Sequence, residues 1–91
     1  MNRWFVELSG KTADLQKVAS ILTAAHYQVL WRDEKLYLGH TSLDVLPDAR
    51  AVREAALTKL ERINVLGSLS HAGPFVLGHI VDAVDDQWVT L

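Results

Sequence analysis

The sequence predicts an α+β domain of the ferredoxin-like, split-βαβ type, with one additional C-terminal strand. Two stretches carry apolar residues at helical spacing, Leu15 to Ala25 and Ala49 to Ile63. Shorter stretches with two-residue alternation lie before, between and after them. The resulting order is β-α-β-β-α-β-β, whose first six elements match an antiparallel sheet with two helices on one face.

Arg3 to Leu8 alternates, with Trp4, Val6 and Leu8 on one face and Arg3, Phe5 and Glu7 on the other. Ser9-Gly10-Lys11 breaks the strand. Thr12 is expected to cap the first helix, with Asp14 complementing the positive end of its dipole. Leu15, Val18, Ala19, Leu22 and Ala25 then define a helix near Ala13 to Ala25. His26 to His40 reads as a hairpin turning at Asp33-Glu34, a tip without the Asn-Gly or Asp-Gly that would fix its turn type. Thr41 to Leu46 is a connection. Leu46 to Leu66 is the long helix around which the domain is organised. Its stripe of Ala49, Val52, Ala56, Leu60 and Ile63 faces the sheet, while Arg50, Arg53, Glu54, Glu61 and Arg62 form a solvated outer side. Pro47 and Asp48 suit its first turn, and Gly67-Ser68 its end. Ser70 to Pro74 is a loop, Phe75 to Val84 a strand, Asp85-Asp86 a turn and Gln87 to Leu91 a last short strand.

Such a sheet has helices for only one of its faces. Phe5, Leu30 and Tyr37 are expected on the other, mixed with Glu7 and Arg32, and together with Trp88 they form the expected interaction surface. Buried or interface packing is the expected use of these rings.

Composition narrows the function classes. The chain of 91 residues is 49% hydrophobic and 22% charged, as an ordered single domain should be. A domain of this size buries only about 60–65% of its unfolded surface, so a partner has much to add. The net charge of −2 offers no footprint for nucleic acid or anionic membrane. All 9 basic side chains lie between Arg3 and Arg62, leaving Ile63 to Leu91 apolar and mildly acidic. With no cysteine, disulfides and thiolate chemistry are excluded. No signal peptide or membrane-spanning run is present in the sequence, and a cytoplasmic protein is expected.

Reactive motifs are sparse. Gly10-Lys11-Thr12 copies the end of a phosphate-binding loop, but the first glycine of that motif falls on Phe5, inside a strand. His26, His40, His71 and His79 form no metal-binding pair by spacing, although His26 and His40 bracket the hairpin and could approach across it. Asp82, Asp85 and Asp86 read as strand and turn residues without the oxygen ligands of a calcium loop. The aromatics Phe5 and Tyr37 invite comparison with RNA-binding sheets, yet Lys35 to His40 lacks the basic-Gly-aromatic pattern. No catalytic, cofactor-binding or metal-binding residue is assigned.

An opening strand with Val6 and Leu8 leads through Gly10 to Asp14-Leu15. A Tyr37-Leu38 strand follows, and then a helix carrying Asp48, Ala49, Val52, Ala56, Leu60 and Asn64. In this the chain resembles the N-terminal region of a group of uncharacterised bacterial proteins. It departs from them at Val65, where glycine tends to follow the Asn; here glycine arrives at Gly67. The resemblance implies no activity, and it implies a single domain, residues 1–91, that is followed by further sequence. The apolar ending Gln87-Trp88-Val89-Thr90-Leu91 agrees with that expectation.

The expected function is a non-catalytic interaction or self-association module, acting through a sheet edge or the open face on a second copy or a partner protein. The competing class is an ACT-like regulatory domain that binds a small molecule. It would need a polar pocket near Gly10 to Asp14 or at the His26/His40 end.

Overall fold

A computed structural model describes residues 3–65, 75–83 and 88–91. It is an α+β fold built on one five-stranded antiparallel sheet. Strands β1 (Trp4–Ser9), β2 (Gln28–Arg32), β3 (Lys35–Gly39), β4 (Val76–Asp82) and β5 (Val89–Thr90) lie in the order β2-β3-β1-β4-β5. Helices α1 (Thr12–Ala24), α2 (Thr41–Asp44) and α3 (Ala49–Val65) complete the chain. The expected helix stop at Gly67-Ser68, the loop Ser70 to Pro74 and the turn Asp85-Asp86 lie outside the described residues, as do the side chains of Glu61 and Ile63.

The main core forms where two periodicities meet. Even-numbered β1 residues Trp4, Val6 and Leu8, with Leu36 and Leu38 of β3 and Ile80 of β4, pack against Leu15, Val18 and Leu22 of α1 and Val52 and Ala56 of α3. Both long helices therefore cover the same face. Each fully buried large side chain contributes roughly 1.5–3 kcal/mol to this packing. Ala56 is buried in this core and Ala49 is packed against it, on the stripe that the spacing predicts.

Local endings depart from the expected ones for identifiable reasons. Thr12 does not cap α1: Lys11 occupies the cap position and its carbonyl accepts from Leu15 N–H, without a side-chain cap. At the far end of α1, His26 takes the left-handed conformation (φ 67°). Its N–H donates to Thr23 O while Tyr27 N–H donates to Leu22 O, a Schellman ending with histidine in the usual glycine place. His26 is thus a helix terminator.

The connection Thr41 to Leu46 contains the short helix α2, capped by the His40 side chain, whose Nδ1 accepts from Ser42 N–H at 3.0 Å. Helix α3 begins at Ala49 rather than at Pro47, because Asp48 Oδ1 accepts from Ala51 N–H at 2.9 Å and so caps it from outside. At the hairpin tip Asp33 and Glu34 both have positive φ, 50° and 64°, as a two-residue type I′ turn requires. That conformation costs an L-residue roughly 1–2 kcal/mol. Regular pairing from Arg32↔Lys35 back to Gln28↔Gly39 holds it.

Candidate interaction surface

The face of the sheet opposite the helices carries a second, smaller cluster. Alternation puts Phe5 and Glu7 there from β1, and the pairs Glu7↔Tyr37, Leu30↔Tyr37 and Phe5↔Val81 bring their neighbours to the same side. Phe5, Tyr37 and Val81 are buried, with Leu30, Ala83 and Trp88 half-buried against them. All four residues expected to form the interaction surface, Phe5, Leu30, Tyr37 and Trp88, therefore meet in one place. Their roles differ. Trp88 lies over Phe5 (ring centroids 5.1 Å apart) and edge-on to Tyr37 (5.2 Å). The Arg32 guanidinium stacks on the Trp88 ring at 4.5 Å from its centroid. Phe5 and Tyr37 are the floor, and Leu30, Trp88 and Arg32 are the outer layer. Neither floor ring is free to stack on a nucleic-acid base.

Beside this cluster sits one buried carboxylate. Glu7 is 6% exposed; its Oε2 accepts from the Tyr37 hydroxyl at 3.0 Å and faces Lys35 Nζ at 3.7 Å. Burial, then the hydrogen bond to Glu7 and that carboxylate's charge, push the Tyr37 phenol above its ordinary value, with Asp33 adding and Arg32 opposing. Tyr27 is raised as well, by burial alone. Room for Glu7 comes from Gly78. A methyl group there would collide with Glu7 Oε1 and stand 2.9 Å from Cδ. The β1–β4 register shifts between Val6 and Leu8, so Gly78 belongs to an irregularity in the ladder, where a strand glycine is expected.

The two edges of the sheet are built differently. On one side β5 has only two residues and pairs with Val81 and Asp82. Over the earlier part of β4, Arg53 of α3 donates to the carbonyls of Leu77 (3.4 Å) and Gly78. Arg53 was expected among the solvated residues of the helix. Its guanidinium instead occupies acceptors that a further strand could use. On the other side β2 is the outermost strand for its full five residues. Trp31, 44% exposed, sits on this edge, and beside it opens a groove of about 430 Å³ lined by Thr12, Gln16, Trp31 and Glu34.

That groove is at the Gly10 to Asp14 end of the fold, one of the two places where a small-molecule regulatory domain would need its pocket. At the other, His40 packs against Tyr27 (4.8 Å between ring centroids) and bonds to Ser42, while His26 is an exposed helix terminator. Among the described residues, no three His, Asp or Glu side chains gather as a metal site. Asp82 is engaged by Arg3 at 3.2 Å. Among the described residues no helix is long and apolar enough to cross a membrane.

No protein-family model, curated protein or solved structure matches the chain.

Sequence reasoning missed two participants, and it gave Trp31 only as a core or interface anchor. Gly78 and Arg53 gave only weak signals, a glycine inside a β-rich run and a cation on a helix flank. Trp31 alternates with Leu30 and so falls on the helix side of the sheet, but nothing in its spacing reveals that α1 leaves it uncovered.

Proposed function

We propose that this domain is a self-association module that works through its sheet rather than through a reaction centre. The observation that carries the reading is the second face: an apolar cluster whose outer layer, among the described residues, is the half-buried Leu30, Ala83 and Trp88, with Arg32 stacked on the Trp88 ring. The half-buried Leu30 and Trp88, and the exposed Trp31 on the neighbouring β2 edge, gain cover on association, in a chain whose size leaves much of its surface in water. A split-βαβ, ferredoxin-like assignment is supported by the position of β1 between β3 and β4 and by the shared helix face. The lack of cysteine is compatible with a cytoplasmic setting.

Sedimentation equilibrium tests the proposal across roughly 1 µM to 1 mM, the range in which weak dimers dissociate. A weight-average mass rising toward that of a dimer is the expected result. A monomer at every concentration rejects it.

A further inference from the structure

We infer that the partner is a second copy of this chain, joined edge to edge through β2 about a two-fold axis at Leu30, so that two five-stranded sheets become one. The inference rests on the self-association reading and assigns it a place and a register.

The hairpin fixes which backbone groups of β2 are available. A two-residue turn is flanked by a hydrogen-bonded pair, here Arg32↔Lys35, and the pattern then alternates. Leu30 and Gln28 are therefore spent on β3, while the N–H and C=O groups of Val29 and Trp31 point outward. A symmetric antiparallel partner must pair outward groups with outward groups, which leaves registers centred on Val29, Leu30 or Trp31.

Side-chain chemistry separates them. Centring on Trp31 sets Arg32 opposite Leu30 and Val29 opposite Asp33, apolar against charged in both cases. A centre on Val29 sets Leu30 opposite Gln28, Arg32 opposite His26, and Trp31 opposite Tyr27, whose N–H is already given to Leu22 O. With Leu30 at the centre, Leu30 meets Leu30, Val29 meets Trp31, and Arg32 meets Gln28. Apolar then faces apolar on both sides of the sheet, and no cation faces a cation. Four backbone hydrogen bonds form, two at each Val29–Trp31 pair. The exposed Trp31 ring, which lines the groove with Thr12, Gln16 and Glu34, gains cover from Val29 of the second copy.

The other edge gives a second copy little purchase, because β5 is two residues long and Arg53 holds the Leu77 and Gly78 carbonyls. Edge pairing over five residues covers less than the roughly 1,600 Å² of a standard interface, so a dissociation constant in the micromolar range is expected.

Because the chain has no cysteine, an introduced thiol is unique. Leu30 would lie in a non-hydrogen-bonded antiparallel pair, with Cα atoms about 4.5 Å apart, within disulfide reach. Leu30→Cys should give a covalent dimer under mild oxidation. Gln28→Cys mixed with Arg32→Cys should give the mixed disulfide about tenfold in excess of either like pair, since like positions are roughly 13 Å apart in this register. Should Leu30→Cys fail to fold by circular dichroism, the mixed pair alone decides. A chain that sediments as a dimer yet forms no Leu30→Cys disulfide and no preferred mixed disulfide overturns the edge assignment and leaves self-association standing. A chain that is monomeric throughout and does not cross-link overturns both.

Discussion

The two margins of this sheet use the same backbone chemistry toward opposite ends. At the β4–β5 margin, a two-residue final strand and an arginine from α3 leave few groups for another strand. At the β2 margin a regular hairpin presents five residues without proline, bulge or inward charge. Protein sheets blunt their edges with such devices because an open edge is a template for pairing. Such devices at one margin and not at the other are what the proposed pairing through β2 requires.

The largest effect on this comparison is expected from Gly78→Ala. The added methyl drives Glu7 off its position against Tyr37 and Lys35, and a buried carboxylate then loses its partners. Overpacking of this kind costs about 1–3 kcal/mol, read as a lower midpoint in urea at unchanged slope. An unchanged midpoint would mean that Glu7 relocates freely and that Gly78 has no structural part at this margin.

Arg53→Ala is expected to do less to stability, about 1–2 kcal/mol for losing a charged donor to two partly buried carbonyls. Its second consequence is more informative. With the Leu77 and Gly78 carbonyls released, the β4 margin opens, and species larger than a dimer should appear by light scattering at high concentration. If the variant assembles just as the native chain does, Arg53 does not blunt the edge.

Much of this structure is legible from residue spacing. Leu15, Val18 and Leu22 recur at helical intervals and pack where that periodicity directs them; Trp4, Val6 and Leu8 alternate away from Phe5 and Glu7 as a pleated strand must. The meeting of Phe5, Leu30, Tyr37 and Trp88 could be anticipated from alternation alone. Element ends were harder to read, because they depend on single hydrogen bonds. Asp48 caps α3 from outside where Pro47 and Asp48 together suggested its first turn, and His26 closes α1 in a conformation normally left to glycine. The blunting of one edge was not legible at all. It depends on Arg53 reaching two carbonyls more than twenty positions later in the chain, and only the packing of α3 on β4 brings them together.

The difference between the margins is tested most directly by amide hydrogen exchange, followed residue by residue at a low and a high protein concentration. Exchange of the outward Val29 and Trp31 amides should slow as concentration rises, in step with the sedimenting dimer fraction, while Val76 to His79 exchange at a constant rate. Rates at Val29 and Trp31 that ignore concentration, or slowing that appears along Val76 to His79 instead, would contradict an association surface on β2.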